Sequence, residues 1–248
     1  MLSFEVWLPV GAIGLYLFDS VLLLYSNEVL FLRRGGLLRQ GGRWRFVMSS
    51  QLLVEGRRLC FVSPLTPAIP QFRVRWSEGD ARQEQEDEPA LLAFLGALRP
   101  LQYLVSGLLL LLLALPVELL FFGTGPELLA LMAAFYLLIL VALGYTYARR
   151  AALRLSVKSF LALSFDALAC APFAINLVRK LGMRRSLAGN PIDFARRTFD
   201  APTFAALIAA VAGRVGDEQQ REYGQTPRWH ELETYRQALQ AMVDQQSP

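Results

Sequence analysis

The sequence predicts an α-helical integral membrane protein: three transmembrane helices plus one interfacial or re-entrant helix, with a small antiparallel β insert and a helical cytoplasmic tail. Three observations carry that expectation. Apolar residues make up 54% of the 248 and charged residues only 19%, against about 25% charge in a typical soluble domain. Long stretches run almost without charge. The 25 lysines and arginines all fall within residues 33–99 and 149–236, so the most apolar stretches contain none. That alternation is the signature of membrane topology. The same composition excludes a disordered chain.

Residues 1–32 read as the first transmembrane helix and its cytoplasmic exit. Residues 6–25 are apolar except for Asp19. No basic residue precedes them, the apolar core is long, and the stretch around Ser26 is a poor cleavage site, so an uncleaved anchor is expected rather than a signal peptide. Residues 33–77 read as a cytoplasmic β-rich insert. Phe72-Arg73-Val74-Arg75-Trp76 alternates apolar and basic side chains, as a half-buried strand does. Glu55-Gly56-Arg57 sits between two strand-like runs as a hairpin turn. Three or four strands are expected, too few to stand alone, so they should pack on the membrane surface, the C-terminal region or a partner.

Residues 78–98 form an acidic linker and an amphipathic lead-in. Residues 78–88 hold six acidic side chains and one arginine, a solvated run. Residues 99–150 read as a transmembrane helical hairpin. Residues 128–148 carry no charge and residues 100–122 only Glu118, each long enough for a hydrocarbon core of about 30 Å. Gly123-Thr124-Gly125-Pro126 leaves room only for a tight turn. Residues 151–182 include the apolar stretch 159–178, interrupted by Asp166, Pro172 and Asn176 and flanked by cations on both sides. An interfacial helix, or a re-entrant helix broken at Pro172, suits those charges better than a span.

Residues 183–248 read as a cytoplasmic tail of short helices. Asn190-Pro191 and Thr226-Pro227 look like caps followed by a first-turn proline. Trp229, Leu232, Tyr235, Leu239 and Met242 recur at helical spacing. Placing every cation inside puts the N-terminus outside and the C-terminus in the cytoplasm of a bacterial inner membrane.

Catalytic signatures are missing. There is no GxSxG, no GxxxxGK[ST] and no HExxH, and His230 is the only histidine. Cys60 and Cys170 lie in no ligand cluster, so no metal and no cofactor are expected. The residues that need explaining are polar groups at membrane depth, where a carboxylate costs about 2.5–3.5 kcal/mol. Asp19, Ser20, Tyr103, Ser106 and Tyr145 are expected to form one polar layer, either as a packing contact, a proton relay or an intersubunit contact. Glu118 and Asp166 are further intramembrane candidates. Arg33, Arg34, Arg39, Arg149, Arg150, Arg179, Lys180, Arg184 and Arg185 make a basic belt suited to anionic headgroups or phosphate. The expected partners are an anionic lipid bilayer and other membrane or cytoplasmic proteins, with no nucleic acid. The expected role is a non-enzymatic integral subunit or scaffold of an inner-membrane assembly. The alternative is an oligomeric transporter or channel component using Asp19.

Overall fold

The computed structural model describes residues 4–34, 43–76, 88–185, 187, 190–222, 224 and 226–244. Helix α1 (Phe4–Asp19) leads directly into strand β1 (Val21–Leu24). Strands β2 (Glu28–Arg34), β3 (Arg43–Val47), β4 (Leu53–Val54), β5 (Arg57–Phe61) and β6 (Gln71–Arg75) follow. They form two antiparallel three-stranded sheets, ordered β1-β5-β4 and β3-β2-β6. The turn between β4 and β5 has Glu55 at φ 50° and Gly56 at φ 76°. Both central residues are left-handed, as a two-residue type I′ hairpin requires.

This corrects the reading of residues 6–25 as one transmembrane helix. The helix stops at Asp19, where the Ser20 backbone N–H bonds Tyr16 and Leu17 carbonyls. Val21 to Leu24 then pair with Phe61 to Arg58. A run of valine and leucines is equally at home in a buried strand. Leu22 and Leu24 are buried against Leu30, Leu32, Cys60 and Val62 between the two sheets. The β unit is therefore larger than the expected three or four strands, because it recruits residues assigned to the membrane anchor.

The second sheet turns its other face to the helices. Phe72, Val74 and Trp76 are all buried on that side, as their alternation predicts. Arg75 Nη2 pairs with Glu28 Oε1 at 2.9 Å, and Arg73 Nε lies 3.9 Å from Oε2 of the same carboxylate.

Helix α2 (Glu88–Phe121) is 34 residues long, about 51 Å at 1.5 Å per residue, and helix α3 (Pro126–Ala148) has 23. The first turns of α2 pack into the core formed by the sheet and the C-terminal helices. Leu91, Phe94, Leu98 and Leu101 are buried with the sheet and the C-terminal helices. Farther along, Leu110, Leu113, Val117 and Leu120 are exposed, as are Leu129, Leu137 and Leu140 of α3. Both helices are long and apolar enough to cross a membrane, with mean hydropathy 2.5 in their most apolar windows, where only 28% and 22% of residues are buried. Among the described residues these two pass that test, not three: α1, at 16 residues, reaches only about 24 Å.

Helix α4 (Val157–Ala169), a 3-10 turn (Ala171–Asn176) and helix α5 (Leu177–Arg184) form the fourth apolar segment. The break falls at Cys170 and Pro172. Proline has no N–H to continue the helix. Ser156 caps α4 by accepting from the Ser159 N–H. Val157, Leu161, Phe165 and Leu168 are exposed and recur at helical spacing.

Helices α6 (Pro191–Thr198), α7 (Ala201–Arg221) and α8 (Pro227–Asp244) complete the chain. Asn190 Oδ1 accepts from Ile192 N at 2.9 Å and Thr226 Oγ1 from Trp229 N at 3.1 Å, so each cap ends the preceding loop as its sequence indicates. Leu232 and Leu239 are fully buried. Phe194 and Phe199 pack on Phe31 of β2, with centroids 6.0 and 5.0 Å apart. The sheet thus finds its missing core in the C-terminal region.

Candidate functional site: a buried polar junction

The C-terminal end of α1 is a poor place for an acid, because a helix carries partial negative charge there. Asp19 is nevertheless held at that end, and its partners come from the other end of the sequence. Lys180 Nζ lies 3.1 Å from Asp19 Oδ1. Asn176 Nδ2 donates to Asp19 Oδ2 at 2.9 Å and to Ser20 Oγ at 3.2 Å. Ser20 Oγ in turn donates to the Tyr16 carbonyl at 2.8 Å. Asn176 Oδ1 accepts from Arg179 Nη1 at 3.2 Å. Every polar atom of the Asn176 amide therefore has a partner.

Two further bonds tie this junction to the loop after β5. Arg179 Nη2 donates to the Ser63 carbonyl, and the Tyr16 hydroxyl donates to the Pro64 carbonyl. Arg179 is 1% exposed, and burial pushes its guanidinium below the usual arginine range, with Tyr16 and Asp19 acting in the opposite direction. Its Nε finds no hydrogen-bond partner among the described residues. One carboxylate thus serves two cations, and the junction carries a surplus positive charge.

Local sequence explains the placement. The 3-10 turn after Pro172 presents Asn176 at the start of α5, and Arg179 and Lys180 follow within one turn. Gly182 lets α5 lie against β6: a Cβ there would stand 2.4 Å from the Gln71 carbonyl oxygen. No larger residue fits without moving the backbone.

Of the expected polar layer, the structure brings Asp19 and Ser20 together and leaves Ser106 and Tyr145 bonded elsewhere. Ser106 Oγ donates to Gln102 O of its own helix at 2.8 Å. Tyr145 donates to Ala97 O at 3.1 Å, beside the turn where Pro100 lacks its N–H, and so ties α3 to α2. Thr146 also bonds its own helix, at Ala142 O. Tyr103 is exposed. Glu118 lies in the last turn of α2, its carbonyl accepting from Phe122 and Gly123. Asp166 is exposed on α4.

The basic belt is dispersed. Arg39, glycines 35, 36, 41 and 42, and residues 78–87 of the acidic run lie outside the described residues, as does the side chain of Arg34. Arg33 stacks over Trp44 at 5.7 Å and Arg150 over Tyr147 at 4.7 Å. The Arg149 backbone caps α3. Arg184 donates to the Ser159 carbonyl at 3.0 Å. Arg185, 6% exposed, sits over the Phe94 ring at 4.8 Å and reaches the Ala90 carbonyl. Arg179 and Arg185 therefore point into the protein and not toward a surface. His230 bonds Thr226 O one turn back and packs edge-on to Trp229.

Sequence reasoning missed Tyr16 and the role of Asn176. The available signal was that Asp19 and Asn176 are both polar interruptions of apolar stretches, and two such groups satisfy each other best. Their separation of 157 residues hides the pairing.

Beside the junction lies an apolar crevice of about 390 Å3, walled by α1, α2, α3 and the break after α4. Gly11, Leu15, Leu112, Met132, Cys170 and Pro172 line it. No protein-family model, curated protein or solved structure matches the chain.

Proposed function

We propose that the chain is a non-enzymatic, membrane-anchored scaffold subunit that holds a folded cytoplasmic unit against the inner face of a bacterial inner membrane. One observation supports this reading: α2 is a single helix whose first turns are buried against the sheet and the C-terminal helices and whose later turns expose leucine and valine. An exposed apolar surface of that extent calls for lipid or a partner. A helix continuous between the two zones fixes the cytoplasmic unit in orientation to the bilayer. Arg99 before the hairpin and Arg149 and Arg150 after it favour both ends inside and the 123–125 turn outside. Helix α1, too short to cross, and the exposed stripe of α4 would be seated in the same apolar zone. The two sheets and the C-terminal helices would face the cytoplasm and meet the partner.

The test is fractionation followed by capture. The full-length chain is expected to stay in the membrane pellet after a carbonate wash. It is expected to leave mild detergent in a fixed-stoichiometry complex with one other protein. Recovery of a bare monomer under the mildest extraction refutes the scaffold role, and release by carbonate refutes the membrane anchor. Cysteine labelling in intact cells at Thr124→Cys and Gln237→Cys reads the orientation: the first should react from outside, the second only after lysis.

A further inference from the structure

We infer that the crevice between α1 and the hairpin is a lipid site that takes one acyl chain of an anionic phospholipid, with its phosphate meeting the surplus positive charge at Lys180. The inference rests on the membrane association proposed above and adds a ligand to it.

The shape comes first. A crevice of about 390 Å3 is within the range of small-molecule sites, roughly 300–1,000 Å3. Its walls are leucine, methionine, aromatic and small residues from four elements. Left empty, those side chains would forfeit dispersion contacts on one side. In a bilayer the filler of matching chemistry is a hydrocarbon chain. Gly11 faces open space on this side: a Cβ built there meets no atom within 4 Å, so a larger side chain at this position has room to enter the crevice.

The register along α1 comes second. Gly11, Leu15 and Asp19 are spaced by four and share one face, one turn of about 5.4 Å apart. The first two line the crevice and the third binds Lys180. The ion pair therefore lies one helical turn beyond the crevice lining, along the same face of α1. The floor of the crevice, Cys170 to Pro172, belongs to the same break that delivers Asn176 and Lys180. An apolar chamber ending at a polar junction matches an amphiphile, not a purely apolar ligand.

Charge comes third. Among the described residues Asp19 is the one carboxylate set against Arg179 and Lys180. Arg179 is sealed inside, but the Lys180 side chain keeps 18% exposure. An anionic phosphate completes the balance, whereas a zwitterionic headgroup brings its own cation to a site that already has an excess.

The test uses the full-length chain reconstituted in vesicles of equal parts phosphatidylglycerol and phosphatidylcholine, then released in mild detergent. Retained lipid is counted by native mass spectrometry. The wild type is expected to keep one phosphatidylglycerol. Gly11→Leu fills the crevice from α1 and Met132→Trp from α3; each should lower retained lipid about tenfold with the unfolding midpoint unchanged. The two variants alter opposite walls, so misfolding of one leaves the other to decide. Lys180→Gln should keep a lipid but lose the preference for phosphatidylglycerol. Equal retention in wild type and the crevice variants overturns the inference, as does retained lipid without headgroup preference or a peptide in its place. A chain that stays in carbonate-washed membranes yet holds no lipid overturns this inference alone. A chain released by carbonate overturns the membrane reading and this inference with it.

Discussion

Asn176→Ala is the sharpest probe of the junction, because a single amide there satisfies three partners on two elements. The substitution removes hydrogen bonds to Asp19, Ser20 and Arg179, at 2.9, 3.2 and 3.2 Å. Two of the three involve a charged group, each worth about 1.5–3 kcal/mol, against about 1 kcal/mol for the neutral one. Asp19 keeps Lys180 and 15% exposure, so its loss falls at the low end. Arg179 fares worse. At 1% exposure it cannot replace the lost acceptor with water, and its Nε already lacks one. The sum comes to about 4–5.5 kcal/mol, close to the cost of breaking a buried charged network. For a chain of this size that lowers the unfolding midpoint by roughly 8–22 °C. The assay is thermal unfolding in mild detergent followed by near-ultraviolet circular dichroism. Ser106→Ala is the control, since its hydroxyl bonds only its own helix; it should stay within about 0.5 kcal/mol of wild type. The double-mutant cycle of Asn176→Ala with Asp19→Ala should return a coupling above about 0.5 kcal/mol. A midpoint for Asn176→Ala indistinguishable from that of Ser106→Ala refutes the reasoning: the junction would then be a bystander.

Other consequences are open to direct measurement. Gly182→Ala forces a Cβ to 2.4 Å from the Gln71 carbonyl oxygen and should destabilise by about 1–3 kcal/mol or more; a neutral result in the same melt would refute the close approach of α5 to β6. Glu233 is held down to about 2, first by Arg236 and then by Gln219 and Gln237. Its folded value lies below the unfolded one of about 4.3, so its contribution is present above that unfolded value and is lost as pH falls through about 2. Glu233→Gln should flatten the acid limb of the stability profile in that window, and an unchanged limb would count against the bonds. Burial pushes the Cys60 thiol up to about 11, and the residue is fully buried, so maleimide at neutral pH should modify Cys170 first and Cys60 only on unfolding; equal rates would contradict the packing between the sheets.

What the sequence determined by itself was whatever depends on neighbours along the chain. The apolar lengths and tight turn of the hairpin, the Asn190 and Thr226 caps, the Glu55-Gly56 turn and the alternation of Phe72, Val74 and Trp76 all act within a few residues. Their physics is local: propensity, a capping oxygen, a positive φ, one face against another. Tertiary structure decided the rest. Val21 to Leu24 became a strand because β5, nearly forty residues on, supplies a ladder of hydrogen bonds, which hydropathy cannot register. Arg179 and Arg185, which charge counting assigns to headgroups, are buried because carbonyls and a ring from distant segments receive them. Asp19 is tolerated at the end of its helix because Asn176 and Lys180 arrive there from the break after Pro172. A charge or a polar group declares its need in the sequence, but only the folded chain decides which partner meets it.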